Sequence, residues 1–339
     1  MCTGIRLIAE NGATVYGRTL EFGRAIESQI IIIPRNYAFS GTALSGNPEG
    51  AQWKSRYAVV GANALGVIGV IDGVNEAGLA GGLFYFPGYA EFQEVSYHHG
   101  KNSIASWEMM TWILTNFSTV AEVRASLPTI NINKAILAQW GTQVPVHAIV
   151  HDSAGNSMVI EYVQGQLIMH DNILGVITNS PAFDWHETNL RNYVHLTAYN
   201  SESIDLGKLQ VTPFGQGSGM LGLPGDFTAP SRFVRAAFLS QYAIKPKNEV
   251  EARILLFHIL DLFDIPLGTV REKTENGFVY ESTQWTAGAD LTHKKYFWHT
   301  YKNRNLHMVN LTTCDLESPK PLLIPMDTIE IVKDATPLK

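Results

Sequence analysis

Cys2, the second residue of the chain, directly follows the initiator methionine. Removal of Met1 would leave a single residue with both a thiol and a free α-amine, which are a nucleophile and a base. An α-amine titrates at about 7.7 to 8.0 and a free thiol at about 8.5, so both change charge near neutral pH. The chemistry that this pair suggests is acyl transfer through an N-terminal nucleophile. A small buried hydrophobic side chain is the structural alternative for a lone cysteine.

The next twenty residues predict a β-hairpin that brings charged groups to Cys2. Two strand-like runs, 3–10 and 13–21, flank an Asn-Gly dipeptide, which is typical of two-residue hairpin turns. That turn places Glu21 across from Cys2, with Arg18 close by. Arg18 would favour the thiolate and Glu21 would orient the α-ammonium. Since a regular strand would put Arg18 and Glu21 on opposite faces, we expect a bulge or sharp twist near Gly17.

A solvated, salt-bridged hairpin is the other interpretation of the same charges.

Two later motifs are weaker indications of a functional site. Residues 217–222 spell a dinucleotide fingerprint, but no buried strand precedes them and no helix signal follows. His147 and His151 lie in a strand-like segment without the further ligands that a zinc site requires. We therefore predict neither a nucleotide cofactor nor a metal.

The composition is that of an ordinary globular chain. The 339 residues are 45% hydrophobic and 17% charged, and no repeat or linker divides them, which predicts one domain over 1–339. The net charge of −6 with scattered Lys and Arg argues against a nucleic-acid partner. No apolar run approaches the roughly 18 residues of a membrane span. With only Cys2 and Cys314 and no signal-like segment, we expect a reducing, cytoplasmic location.

Hydrophobic patterns predict strands, then helices, then strands again. The first strand-like segments are 29–33, 58–60 and 65–71, and helices are indicated over 104–116 and, from a capping box, 119–127. A second hairpin is expected over 146–150 and 157–163. Ser231 is the expected N-cap of a helix to Tyr242, and 249–263 is apolar enough to be a buried helix. Strands return at 283–286 and 296–298. This order is typical of an α+β fold in which helices cover antiparallel sheets.

Five segments, in the same order, resemble the choloylglycine hydrolase family, which contains bile salt hydrolases and penicillin V acylases. They span nearly the whole chain: 1–4 with 17–21, 75–79 with 86–90, 178–193, 222–235, and 284–291. The resemblance implies a four-layer αββα sandwich of two antiparallel sheets, the N-terminal nucleophile hydrolase fold. It also implies a homotetramer and no cofactor or metal.

The same resemblance implies a role for each matching residue. Cys2 would be the nucleophile and its α-amine the base, with Arg18 and Arg232 supporting the thiolate. The Asn179 side-chain amide and the Tyr85 backbone N–H would donate to the oxyanion of the tetrahedral intermediate. Donors of this kind are worth about 3 to 4 kcal/mol each in well-studied hydrolases.

Two positions depart from the family pattern. Most members carry Asp where this chain has Glu21, so a longer side chain must reach the α-amine. Bile salt hydrolases typically have Asn at the position of Tyr85, whereas tyrosine there is similar to penicillin V acylases. Tyr85 therefore moves the expected substrate away from conjugated bile salts.

The expected function is hydrolysis of a linear, non-peptide amide of a small molecule, either penicillin V acylase-like or bile salt hydrolase-like. Acyl homoserine lactones or fatty amides are alternative substrates. A glutamine amidotransferase domain also begins with cysteine, but it would need an attached synthetase domain. A binding protein that keeps the fold and has lost turnover, with Glu21 as the cause, is the non-enzymatic alternative.

Overall fold

The computed structural model describes residues 1–44, 50–94, 101–275 and 277–336. The strands are β1 (Cys2–Ile8), β2 (Thr14–Phe22), β3 (Gln29–Ile33), β4 (Ala38–Ser40), β5 (Gln52–Lys54), β6 (Val59–Ala62), β7 (Asp72–Asn75), β8 (Ala80–Tyr85), β9 (Ser103–Ala105), β10 (Asn131–Asn133), β11 (Val146–His151), β12 (Ser157–Val163), β13 (Gln166–Asp171), β14 (Val176–Ile177), β15 (Ile204–Leu206), β16 (Leu209–Val211), β17 (Val270–Thr274), β18 (Gly277–Asp290), β19 (Lys295–Thr300), β20 (His307–Asn310) and β21 (Leu322–Pro325). The helices are α1 (Met109–Asn116), α2 (Val120–Ser126), α3 (Phe183–Asn189), α4 (Ala229–Tyr242) and α5 (Glu249–Leu260).

Two antiparallel sheets form the middle of the molecule. The first has the strand order β14-β1-β2-β18-β19-β20, with β17 paired to the early part of β18. The second has the order β13-β12-β11-β8-β7-β6-β3-β21. Helices α4 and α5 pack on the first sheet and α1 packs on the second. The predicted four-layer αββα sandwich is confirmed. None of the helices in the described ranges is both long and apolar enough to cross a bilayer.

The strand β3 shows why a sheet between two layers needs apolar residues on both faces. Ile30 and Ile32 belong to the apolar core shared with the first sheet. Ile31 and Ile33 belong to the core that contains α1. Because successive side chains of a strand point to opposite faces, an unbroken isoleucine run is typical of a strand covered on both sides.

The first hairpin forms as predicted, but its loop has three residues. The Ala9 N–H donates to the Ala13 carbonyl at 2.8 Å, and the Gly12 N–H donates to the Ala9 carbonyl at 3.0 Å. Gly12 has a φ of 85°, the left-handed conformation that closes three-residue hairpin loops. The Glu10 N–H also donates to the carbonyl of Pro246, just before α5. This long-range contact holds the loop.

The longer loop shifts the strand register by one position. Cys2 pairs with Leu20 and Gly4 pairs with Arg18, so the prediction that Glu21 lies across from Cys2 is wrong. A shift of one residue moves a side chain to the other face of a strand. Arg18 therefore lies on the same face as Cys2, and Glu21 lies on the opposite one.

The prediction of a bulge near Gly17 is also wrong. The pairing of β2 with β1 is regular throughout, and the irregularity lies in the neighbouring strand β18, between Thr283 and Trp285. Arg18 and Glu21 thus keep the alternation of a regular strand.

Three smaller predictions also need correction. Residues 65–71 form a loop, because Leu65 and Gly66 both have positive φ angles. Helix α4 begins at Ala229, so Ser231 lies inside it. In α5 only one face is buried, and Ile254 is 47% exposed. By contrast, α2 begins where its capping box predicted, with Thr119 accepting a hydrogen bond from the Glu122 N–H.

A buried carboxylate links the two sheets. Asp72 of β7 accepts a hydrogen bond from Tyr16 of β2 at 2.8 Å and one from Tyr296 of β19 at 2.7 Å. Burial raises the pKa of Asp72 to about 6, against the opposing effects of Arg18 and the two phenols. Because the three side chains are buried, water cannot take the place of these hydrogen bonds.

A substitution at Gly17 of β2 tests how closely the first sheet packs against α5. A Cβ at this position would lie 2.6 Å from the Ala287 carbonyl oxygen and 2.9 Å from Leu256 Cδ2. We expect Gly17→Ala to lower the free energy of unfolding by about 1 to 3 kcal/mol, since overpacking forces backbone to move. Gly225→Ala is the matched control, because a Cβ there meets nothing within 4 Å. Urea unfolding of both variants measures the difference, and equal stabilities would contradict this packing.

Asp72 makes stability depend on pH. Its pKa is about 6 in the folded protein, above the ordinary value of about 4, so the folded state binds the proton more tightly. Its contribution to stability is therefore greatest below pH 4 and is lost as the pH rises through 6. From pH 7 to pH 4, the unfolding free energy of the wild type should rise by about 2 to 3 kcal/mol relative to Asp72→Asn.

Urea unfolding at several pH values measures this difference. Asp205→Asn is the control, because Asp205 is exposed on β15. A difference between the wild type and Asp72→Asn that is constant from pH 4 to pH 7 would contradict the assignment.

Candidate active site

Cys2 lies at the start of β1 with its side chain 4% exposed. Its Sγ accepts a hydrogen bond from Arg18 Nη2 at 2.7 Å. Its main-chain N–H donates to Asn179 Oδ1 at 2.9 Å. The sulfur and the nitrogen of one residue thus each have a partner from a different part of the chain.

Arg18 is fully buried between the two sheets. Its Nη1 donates to the carbonyl of Leu83 in β8, and its guanidinium lies 4.2 Å from the centre of the Phe84 ring. Burial by itself would lower the pKa of Arg18, but the negative charges nearby, that of Cys2 first, raise it above its ordinary value. The cation at the sulfur is therefore held charged, and a charged partner is the contact that a thiolate requires.

Asn179 follows β14 and is hydrogen-bonded to four neighbours. Its Oδ1 accepts hydrogen bonds from Cys2 N and from Arg232 Nη2, the latter at 2.7 Å. Its Nδ2 donates to the Tyr85 carbonyl at 2.7 Å. The backbone carbonyl of Asn179 is bonded to the buried His186 ring at 2.9 Å. This set fixes which end of the amide faces Cys2, since Oδ1 receives two N–H groups.

Arg232 comes from α4 and is 1% exposed. Its Nη1 donates to the Cys2 carbonyl and to Thr3 Oγ1, the latter at 3.0 Å. Its Nη2 reaches Asn179. Arg232 therefore holds the backbone of Cys2 and the Asn179 amide, and no hydrogen bond joins it to the sulfur among the described residues. Burial, first among several effects, lowers the pKa of Arg232.

Glu21 is 1% exposed, on the face of β2 opposite Arg18. Its Oε1 accepts from Thr283 Oγ1 at 3.1 Å, whereas its Oε2 is buried without a partner among the described residues. Burial raises the pKa of Glu21, while the charge of the Met1 ammonium lowers it. One carboxylate oxygen is therefore free to accept a hydrogen bond from a donor at the chain terminus.

Tyr85 ends β8 and contributes both main chain and ring. The next residue, Phe86, donates its N–H to Pro145, so the Tyr85 N–H points away from β11 and has no acceptor among the described residues. The Tyr85 ring packs edge-on against Phe22 at 5.6 Å, and Phe22 stacks on Trp140 at 5.2 Å.

A cavity opens at Cys2, with an empty volume of about 1020 Å³ including its mouth. Arg18, Glu21 and Tyr85 also line it. Most of the remaining wall is apolar. It comes from the loop 65–71, from neighbouring strands and from the segment before β11: Leu20, Phe22, Leu65, Ile68, Ile71, Leu83, Leu137, Trp140 and Val146. A lining of this apolar character is typical of a site for a bulky apolar group.

The structure thus brings all six predicted site residues into one connected region: Cys2, Arg18, Glu21, Tyr85, Asn179 and Arg232. Sequence reasoning missed Asp72, Trp140 and His186. Nothing in the sequence marks Asp72, whose partners Tyr16 and Tyr296 come from distant strands. Nothing in the sequence marks Trp140 or His186.

The two weaker motifs have structural roles. His147 bonds through Nδ1 to Glu161 at 3.0 Å and through Nε2 to the Thr178 carbonyl at 3.1 Å. The stretch 217–222 contains a short 3-10 turn over Ser218–Met220. In the part of the chain that the structure describes, no group of His, Cys, Asp and Glu is arranged to hold a metal ion.

Known proteins share both sequence and fold with this chain. Residues 2–324 match the family described as linear amide C-N hydrolases, choloylglycine hydrolase family. The bile salt hydrolase/transferase of Clostridium perfringens (strain 13 / Type A) is 33% identical over 322 residues, which cover 94% of each chain. The solved structure of the C2A mutant of conjugated bile acid hydrolase from Clostridium perfringens has a TM-score of 0.87 at 30% identity, over 99% of this chain and 100% of that one.

Penicillin V acylase from Agrobacterium tumefaciens has a TM-score of 0.77 at 25% identity, over 96% of this chain and 91% of that one. Sequence and structure therefore agree over nearly the entire length. The chain belongs to the choloylglycine hydrolase family of linear amide C–N hydrolases.

Proposed function

We propose that this protein, once Met1 is removed, is an N-terminal cysteine amidohydrolase that cleaves a linear amide with a bulky, apolar acyl group. The observation that carries the proposal is the Cys2 sulfur, bonded to the buried Arg18 guanidinium at 2.7 Å in the wall of an apolar cavity. A nucleophile, a fixed cation and space for an acyl group thus occur at one place.

The reaction begins when the Cys2 thiolate attacks the amide carbonyl carbon and forms a carbon–sulfur bond. The α-ammonium of Cys2 then protonates the leaving nitrogen, the carbon–nitrogen bond breaks, and a thioester remains. Water, deprotonated by the α-amine, attacks the thioester and releases the acyl group as a carboxylic acid. The sulfur is restored as thiolate, and the proton is held by the amine.

Two donors support the developing oxyanion. The Tyr85 N–H has no acceptor among the described residues and is free to donate. The Asn179 side-chain nitrogen carries two hydrogens, and among the described residues it donates only to the Tyr85 carbonyl. Its second N–H is available to the substrate oxygen. Donors fixed before reaction stabilise the transition state more than the substrate.

Two acceptors stabilise the protonated form of the Cys2 α-amine. The nitrogen of Cys2 already lies 2.9 Å from Asn179 Oδ1, which will accept a hydrogen bond from the ammonium. The unpartnered Oε2 of Glu21 supplies a second acceptor near the chain terminus. Glu21 thereby takes the orienting role predicted from the sequence, with a longer side chain than most of the family carries.

The cavity wall favours a flat aromatic acyl group. Tyr85, Phe22 and Trp140 form a continuous aromatic cluster beside Cys2. A phenoxyacetyl group, as in penicillin V, matches this surface, so the proposed activity is penicillin V acylase-like. Bile salts and acyl homoserine lactones also offer apolar acyl groups and are the alternatives to test. The homotetramer and the cytoplasmic location stay predictions from the sequence.

Cys2→Ala tests the nucleophile. Without sulfur no thioester forms, so we expect kcat to fall more than about a thousandfold. The melting temperature should change by only a few degrees, because the lost volume is small. Cys314→Ala, at the other cysteine, should retain activity. A Cys2→Ala protein that still turns over substrate would rule out the mechanism.

Two further measurements test maturation and substrate. Intact mass spectrometry of active protein should show the mass without Met1, and working enzyme that retains Met1 would contradict the proposal. A panel of penicillin V, glycine- and taurine-conjugated bile salts and acyl homoserine lactones identifies the acyl group. Stoichiometric labelling of Cys2 by an acyl analogue, with no product from any amide, would instead indicate a binding protein.

A further inference from the structure

His147 and Glu161 form a buried pair that the proposed reaction does not use. They are opposed in the register of β11 and β12. His147 Nδ1 lies 3.0 Å from Glu161 Oε1, and both side chains are at most 1% exposed. Ile149 and Val159, two residues away on each strand, belong to the core shared with the first sheet. Because residues two apart lie on one face of a strand, the pair points into the space between the sheets.

His147 connects this pair to the residue before Asn179. Its Nε2 lies 3.1 Å from the Thr178 carbonyl oxygen. Because that carbonyl and the Glu161 carboxylate are both acceptors, the two bonds together require a hydrogen on each ring nitrogen. The Phe86 ring stacks on the imidazole at 4.2 Å, within 3° of parallel, and so fixes the plane of the ring. The imidazole therefore donates to Thr178 in one direction.

Glu161 holds the other end of the same segment. Its two oxygens accept from the Phe183 N–H, the first residue of α3, at 3.1 and 3.3 Å. His170 Nε2 lies 3.4 Å from Oε2. Burial would raise the pKa of Glu161, but His147 and then His170 lower it to about 2. Glu161 is therefore a carboxylate at neutral pH, and the pair holds the segment 178–183 at both of its ends.

Asn179 lies inside this segment. The Thr178 carbonyl and the Asn179 nitrogen belong to one rigid peptide plane, which sets where the Asn179 side chain begins. The next carbonyl, that of Asn179 itself, is bonded to His186 Nε2 at 2.9 Å. A rotation of the peptide plane would move the Asn179 amide away from the substrate oxygen. The bond from His147 opposes this rotation.

We propose that the His147–Glu161 pair is a positioning element of the reaction, which holds the Thr178 carbonyl and thereby aims the Asn179 amide at the oxyanion. This inference rests on the proposed function and adds two residues that do not touch the substrate. Because the oxyanion forms only after attack, loss of the bond to Thr178 should lower kcat and leave KM nearly unchanged. A displacement of about 1 Å can cost about a hundredfold in rate.

Two substitutions at His147 separate its two bonds. His147→Asn places an amide nitrogen near the position of Nδ1, so it can keep the bond to Glu161 and loses the one to Thr178. His147→Gln places it near the position of Nε2, so it can keep Thr178 and loses Glu161. With the amide hydrolysed fastest in the panel above, kcat should fall about tenfold to a hundredfold in His147→Asn and less than about fivefold in His147→Gln. KM should stay within about twofold of the wild type in both.

Thermal unfolding should give the opposite order. His147→Gln leaves a buried carboxylate with one donor fewer, so it should melt at a lower temperature than His147→Asn. A role in stability alone would make kcat follow the melting temperature. His151→Asn is the matched control, because His151 is a fully buried imidazole of the same strand that packs against Tyr16. It should keep the wild-type kcat.

Alkylation of Cys2 by iodoacetamide measures the nucleophile by itself. The sulfur forms a bond to the methylene carbon, the carbon–iodine bond breaks, and iodide leaves, so no oxyanion forms. The rate constant should therefore be the same in the wild type and in both His147 variants. Alkylation that slows in proportion to hydrolysis would overturn the inference, because the damage would then lie at Cys2.

The outcomes separate the two proposals. Wild-type kcat in His147→Asn overturns this inference alone, and so does a kcat order that follows the melting temperature. If neither variant folds, Glu161→Gln is the deciding variant, since it keeps the side-chain size and an acceptor for Nδ1. Its kcat should fall about threefold to tenfold, and an unchanged kcat contradicts the inference. If the wild type hydrolyses no amide of the panel, the proposed function fails and this inference fails with it.

Discussion

The burial of one guanidinium between two sheets is the interaction on which the site depends. A cation without solvent is costly unless it is paired and hydrogen-bonded. Arg18 meets that condition through the Cys2 sulfur, the Leu83 carbonyl and the face of Phe84, and the field of Asp72 adds a further negative charge. Three of these four partners require the second sheet or its approach to the first, because Leu83, Phe84 and Asp72 belong to β7 and β8. Packing the sheets together is therefore also what places a positive charge beside the Cys2 sulfur.

Asn179 plays the corresponding part for the backbone of Cys2. Its amide joins the start of β1 to α4 through Arg232 and to the end of β8 through Tyr85. The site is consequently a junction of the helix layer and both sheets. Arg232 holds Asn179 and the Cys2 carbonyl, and this differs from the direct support of the thiolate that the resemblance implied.

Local signals in the sequence predicted individual elements well and their exact register poorly. The isoleucine run of β3 and the capping box at Thr119 depend on neighbours in sequence, and both elements occur where they were expected. The first hairpin depends in addition on the bond from Glu10 to Pro246, more than two hundred residues away, which no turn rule contains. The six site residues came from turn chemistry and family resemblance, and their contacts required the fold. The partners of Asp72 could not be predicted, because Tyr16 and Tyr296 meet it only across the sandwich.

Glu21 shows how a departure from the family pattern can still keep a carboxylate near the chain terminus. Its side chain does not lie across from Cys2, and it reaches the chain terminus from the opposite face of β2. Burial raises the pKa of Glu21, and a nearby ammonium lowers it, so its negative charge is most stable when the terminal amine is protonated. In the proposed reaction Met1 has been removed, and the terminal amine is that of Cys2, which is protonated before the leaving nitrogen departs and deprotonated afterwards. The charge on the carboxylate would therefore be stabilised most at the step in which the ammonium must be held in place.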